Sequence, residues 1–223
     1  MRSPIDDEIR DIFDRSAGLG DGEVATYIPE LATADPRASG LCVMSAEGHC
    51  YPYGAVEVPF TIQSISKIFA YALALETRGF AEVDALIDVE PSGEVFNELS
   101  LDSRTRRPRN PMINAGAITA SSLLPGSNPE QQLAALLAYL GDFVDHPLAI
   151  DDQVYASEAA TRHRNRAIAY LLRSVDVIGG DPMAAACTPS GSEARTPTTW
   201  APCATRCRAT STWPAPSRCS GSW

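Results

Sequence analysis

The stretch Phe60-Thr61-Ile62-Gln63-Ser64-Ile65-Ser66-Lys67-Ile68-Phe69-Ala70-Tyr71-Ala72-Leu73-Ala74-Leu75-Glu76 constrains the fold of this chain most. From Ile65 onward it is apolar and long enough for several turns, which predicts a buried helix that other elements must cover. Ser64 stands at its start, where a hydroxyl oxygen accepts a free backbone N–H and makes a good N-cap. If the helix runs through both, Ser64 and Lys67 lie three residues apart on one face. A free Ser hydroxyl is a poor nucleophile, and a Lys activates it only where burial or neighbours leave the amine neutral. Ile65, Ile68 and Phe69 flank Lys67 and are expected to desolvate it. The partly positive helix N-terminus would disfavour the ammonium and stabilise an oxyanion. A Ser cap beside a surface Lys is the bland alternative for the same residues.

With 223 residues the chain can build one sizeable core or two small domains. The formal net charge of −10 argues against nucleic acid and anionic membrane as partners. No apolar run approaches the roughly 20 residues of a membrane span. The N-terminus, Met1-Arg2-Ser3-Pro4-Ile5-Asp6-Asp7-Glu8, lacks the apolar core of a signal peptide. A cytoplasmic location is expected, with Cys42 and Cys50 as free thiols.

Ile5, Ile9, Ile12 and Phe13 recur at helical spacing, predicting an amphipathic helix over Pro4 to Ser16 that Gly18, Gly20 and Gly22 end. Tyr27-Ile28-Pro29-Glu30-Leu31 reads as extended or turn-like. Leu41 to Met44 and His49 to Val58, around Glu47-Gly48, predict a β-hairpin, with His49 solvated near its turn. Gly79 stops the Ser64 helix, Val83 to Val89 begins another short element, and Glu90-Pro91-Ser92-Gly93 turns. Arg104, Arg106, Arg107 and Arg109 crowd one polar loop, either solvated or an anion site. In Asn110-Pro111-Met112-Ile113-Asn114-Ala115-Gly116-Ala117-Ile118 the small residues would let a helix pack closely, and the Asn114 amide can hold an amide or a carboxylate. Pro129 to Leu140 is a clear helix. Ser157 can cap another, on which Glu158 and Asn165, seven apart, would share a face as exposed polar groups or as parts of a site.

Taken in order, these motifs carry a resemblance. Tyr27-Ile28-Pro29-Glu30-Leu31, Gln63-Ser64-Ile65-Ser66-Lys67, Glu90-Pro91-Ser92-Gly93 with Phe96-Asn97, Asn110 to Ile118, and Ser157-Glu158 with Arg164-Asn165 resemble the serine-dependent glutaminase family from about Gly22 to about Pro182. The resemblance implies an α+β fold of serine β-lactamase type, a helical region plus an antiparallel sheet, here truncated at the C-terminus. It implies Ser64 as nucleophile and Lys67 as base. It implies that Tyr27, Asn114, Glu158 and Asn165, with Ser64, hold L-glutamine, which is hydrolysed through a γ-glutamyl ester to L-glutamate and ammonia. Glu158 suits the substrate's α-ammonium, and the Asn side chains suit its α-carboxylate and amide. The resemblance implies no metal, no organic cofactor and a homo-oligomer. Two alternatives stand: an inactive truncated remnant, or another Ser-x-x-Lys acyl hydrolase of β-lactamase or penicillin-binding type, although neither Ser-x-Asn nor Lys-Thr-Gly occurs.

The resemblance ends abruptly. From Gly179 to Trp223 there is no Leu, Ile, Val, Phe or Tyr, while Trp200, Trp213, Trp223, Cys187, Cys203, Cys207 and Cys219 all fall there. Such a segment offers no apolar face to a helix or strand. Cys203-x-x-x-Cys207 has no His nearby to complete a metal site. Reading the codons of Thr196 to Cys203 from their third base allows Ala-x-Asp-Leu-Gly-x-Met, which resembles the family's next motif. Residues 1–182 are therefore expected to form a partial catalytic domain, and 183–223 an atypical tail that is frameshifted or disordered. The missing part would carry two tyrosines, a Lys-Ser-Gly and a Gly-rich strand of the site, so the chain as written is expected to fold poorly and to be inactive on glutamine.

Overall fold

The computed structural model describes residues 4–91, 93, 101–144, 148–187 and 194–195. They divide into two units, one of residues 4–24 and 34–58 and one of 25–33 and 59–195. Helices dominate, with small antiparallel sheets, an α+β composition. No described helix is long and apolar enough to cross a membrane. Ser92, Phe96, Asn97 and all residues after Arg195 lie outside the described set.

In the first unit, α1 (Pro4–Ala17) packs on a hairpin of β1 (Gly40–Met44) and β2 (Cys50–Gly54). Ile9 is buried, and Phe13 stacks on Tyr53 with ring centroids 6.1 Å apart. The Tyr53 hydroxyl donates to the backbone oxygen of Asp6 at 2.9 Å and to its carboxylate. The second strand is shorter than the expected His49–Val58, because the chain turns after Gly54, with Val58 N–H donating to Ala55 O at 3.2 Å. Cys42 and Cys50 stand diagonally across the hairpin with their sulfurs 3.0 Å apart. Cys42 keeps its thiol, as expected, and burial pushes its pKa up, whereas Cys50 is disulfide-bonded, where a free thiol is expected.

The second unit is built around α4 (Asn114–Ser122), whose residues Ala115 to Ser121 are all buried. A helix this short can be buried on every side only because its residues are small. It packs against α2 (Ser66–Arg78), α7 (His163–Ser174) and α8 (Pro182–Cys187). Gly116 lets the preceding loop cross it: a Cβ there would lie 2.0 Å from Asn110 O and 2.8 Å from Pro111 Cα. Ile113, Ile118, Ile168, Leu172, Ile178 and Ala185 form one apolar cluster. Ile62, Leu73 and Leu124 meet Leu136 and Leu140 of α5 (Pro129–Val144) in a second. Ala74, Ala120 and Leu123 pack on Val83 of α3 (Phe80–Leu86) and on Ile87 in a third. Each fully buried Leu or Ile contributes about 1.5–3 kcal/mol of transfer free energy. Gly79 ends α2 at φ 83°, a conformation that costs Gly little, as its place in the sequence predicts. A last short pair, β3 (Ala149–Ile150) and β4 (Ala194–Arg195), is antiparallel.

Two helix boundaries differ from expectation. α6 (Asp152–Thr161) is capped by Asp151, whose carboxylate accepts from Gln153 N–H and Val154 N–H, so Ser157 is mid-helix and caps nothing. Arg162 then separates α6 from α7. Glu158 and Asn165 accordingly sit on two helices, and the seven-residue spacing does not place them on one face.

Candidate active site

The site begins at a 3₁₀ turn, Gln63–Ile65, that leads into α2. Ser64 is inside this turn and does not cap the helix; no side chain caps either element. Gln63 holds φ 45°, a left-handed conformation that is uncommon for a residue with a side chain. Its carbonyl accepts from the Ser66 hydroxyl at 2.7 Å, and its Nε2 donates to Thr61 Oγ1 at 3.0 Å. The strained residue directly before Ser64 is thus held on both sides. Ser64 is exposed, while Ser66 and Lys67 after it are buried.

Lys67 is only 7% exposed. The flanking residues expected to bury it do not do so: Ile65 is 43% and Ile68 56% exposed, because both point away from the face that Lys67 occupies. The amine is buried instead against the start of α4. Its Nζ donates to Met112 O at 3.0 Å and to Asn114 Oδ1 at 2.8 Å. Burial pushes the Lys67 pKa below the ordinary 10.5, toward the neutral amine a base must be. Met112 O and Asn114 Oδ1 each accept one N–H of the amine. Asn114 in turn donates through Nδ2 to Asn165 Oδ1 at 3.1 Å. Lys67 Nζ thus meets the Asn114 oxygen, while the Asn114 amide nitrogen faces Asn165.

The loop before α4 sets this geometry. Asn110 Oδ1 accepts from Met112 N–H at 3.0 Å and Ile113 N–H at 3.1 Å, bending the chain into the helix. The bend aims the Met112 carbonyl, a partner no sequence pattern reveals, at the amine.

Tyr27 and Glu158 form a second group. Tyr27 is 64% exposed, and its hydroxyl donates to Gln63 Oε1 at 3.4 Å. Partial burial, and then the nearby Glu158 carboxylate, raise its pKa. Ser157, next to Glu158, donates to Glu30 Oε1 at 2.6 Å. The structure therefore brings Lys67, Asn114 and Asn165 into one hydrogen-bonded series and Tyr27, Gln63 and Glu158 into one neighbourhood. Gln63 and Glu30 were not singled out from sequence, although both lie inside the quoted motifs. The basic loop is partly consumed by the fold: Arg107 donates to Asp88 Oδ2 at 3.0 Å and to Asp84 O.

A helical body with small antiparallel sheets is an α+β arrangement of serine β-lactamase-like type. The glutaminase family model matches residues 22–188, and the chain belongs to the glutaminase family. It is 45% identical over 180 residues to glutaminase 2 of Bradyrhizobium diazoefficiens, spanning 81% of this chain and 29% of that one. It is 42% identical over 176 residues to the glutaminase of Trichormus variabilis, spanning 79% and 53%. Among solved structures, Mglu in its tris and glutamate form superposes with a TM-score of 0.80 at 38% identity, covering 87% of this chain and 44% of that one. A probable glutaminase of Bacillus subtilis gives 0.67 at 33% identity, covering 70% and 51%. The chain thus spans about half the length of these relatives, or less.

Proposed function

We propose that this chain carries the nucleophile half of a hydrolase that converts L-glutamine to L-glutamate and ammonia. The observation that carries this reading is the buried Lys67, its pKa lowered and its amine held by Met112 O and Asn114, three residues after the exposed Ser64. In the first step Ser64 Oγ attacks the side-chain amide carbon and its proton passes to Lys67 Nζ. Lys67 returns that proton to the amide nitrogen, which leaves as ammonia, and a γ-glutamyl ester remains on Ser64. Water then attacks the ester, gives one proton back to Ser64 Oγ, and L-glutamate departs. Glu158 pairs with the α-ammonium, with Tyr27 beside it, and Asn165 with the outer face of Asn114 meets the α-carboxylate. Similarity to Mglu, which was crystallised with glutamate, and to glutaminases of several bacteria supports this substrate over a β-lactam. The same reading carries a cytoplasmic location and a homo-oligomeric state. Ammonia release from glutamine tests it: with its C-terminal part restored, the chain should release ammonia and its Ser64→Ala variant should not. Equal release by both would exclude Ser64 as nucleophile.

A further inference from the structure

Two residues inside the site's own motifs are left over by this mechanism, Glu30 and Ser157. Glu30 Oε1 accepts from Ser157 Oγ at 2.6 Å across 127 residues of sequence, within the range of a charge-assisted O–H···O⁻ bond. Glu30 Oε2 is buried and has no hydrogen-bond partner among the described residues. Sequestering a carboxylate for one hydrogen bond is costly, so the bond needs a reason beyond stability. Its place supplies one. Residues 25–33 form a turn whose internal bonds are local, Leu31 N–H to Ile28 O at 3.1 Å and Thr33 Oγ1 to Glu30 O at 2.8 Å. Tyr27 reaches Gln63 only through a long 3.4 Å bond. The short Glu30–Ser157 bond is therefore the firmer side-chain tether of this turn, and it grips α6 at the residue before Glu158.

Resting on the proposed function, we infer that Glu30 is a positioning residue: through Ser157 it docks the Tyr27 turn on α6 and sets the spacing of Tyr27 from Glu158, on which affinity for the amino-acid substrate depends. The experiment is L-glutamate binding by titration calorimetry to the full chain, in a cycle of Glu30→Ala, Ser157→Ala and both together, with Glu30→Gln as the conservative variant. Each single truncation should weaken L-glutamate about tenfold, and the double variant no more than either, since all break one bond. Glu30→Gln, which keeps the acceptor, should stay within about threefold of the parent. A second readout separates positioning from general damage. Labelling of Ser64 by a fluorophosphonate, which lacks an α-ammonium, should keep its rate within about twofold in every variant that has lost L-glutamate affinity. Additive losses, unchanged affinity in Glu30→Ala, or a parallel fall in Ser64 labelling would each overturn the inference while leaving the proposed function standing. An unmutated chain that neither binds L-glutamate nor labels at Ser64 would overturn both.

Discussion

In the proposed mechanism Lys67 acts as a base only while neutral, and burial shifts it toward that form. Its folded pKa lies below the ordinary 10.5, so between those two values the unfolded chain holds a proton that the folded chain has released. Stability should therefore rise with pH across that window and level off above 10.5. Urea titrations at several pH values should show this slope in the parent and not in Lys67→Met. The rate of Ser64 acylation should climb over the same ionisation, and Lys67→Arg, which stays charged, should abolish that climb. Glu158 has a different part. Truncating it to Ala should weaken L-glutamate by more than about tenfold, the loss expected when one partner of an ion pair is removed, and should leave fluorophosphonate labelling of Ser64 unchanged. Calorimetry with L-glutamate checks the first and labelling kinetics the second.

Among the elements, the apolar spacings of α1 and α5, the hairpin around Glu47-Gly48 and the Gly79 stop were legible because each depends on a local rule. The two misplaced boundaries show where local rules fail. Nothing in Thr161-Arg162-His163 is a Gly or a Pro, yet the helix breaks there, with Arg162 buried and its guanidinium over the Tyr155 ring at 5.3 Å. That packing is invisible to periodicity. Ser157 looked like a cap because Ser is a good one, but Asp151 stands nearer the true start and takes the two N–H groups. Asp151→Ala should cost about 1 kcal/mol of stability, a typical capping loss. Among the site residues, the spacing of three between Ser64 and Lys67 was readable, but the 3₁₀ turn that leaves Ser64 outside α2 was not. Lys67's partners were not, since a backbone carbonyl and an amide 47 residues away meet it only through the fold. Gly116 is the most sensitive joint of this arrangement. A methyl there would meet the Asn110 carbonyl at 2.0 Å, and backbone cannot yield as a flexible side chain would. Gly116→Ala should destabilise the fold by about 3 kcal/mol, the upper end of overpacking costs, and should raise the Lys67 pKa toward 10.5 as the displaced loop lets water reach the amine and its burial is lost. Thermal melting and the pH profile of labelling check these two outcomes.

At the scale of the whole molecule, the match to the family runs to residue 188 and spans at most 53% of the first two relatives. The packed part of the chain reaches past the boundary expected at 182, because α8 starts at Pro182 and its Ala185 is buried in the core. This helix lies inside the segment from Gly179 onward that has no Leu, Ile, Val, Phe or Tyr, so a buried Ala gives part of that segment an apolar contact against expectation. We propose that this tail is read out of frame. A one-base change near the codons of residues 182–186 would then reopen a frame encoding the Gly-rich strand, and the restored protein should turn over glutamine about 100-fold faster or more, the scale of regaining oxyanion donors. Sequencing the gene across those codons checks the first outcome, and a shifted frame that soon meets a stop codon would contradict it.

The central claim is that Ser64, served by Lys67, takes the γ-glutamyl group. Its most direct measurement is acid-quenched peptide mass spectrometry of the chain after brief mixing with L-glutamine. A glutamyl increment should appear on the peptide holding Ser64, grow with the ammonia released in the first turnover, and be absent from Ser64→Ala. Ammonia release with no increment on that peptide, or the same increment in Ser64→Ala, would contradict the account.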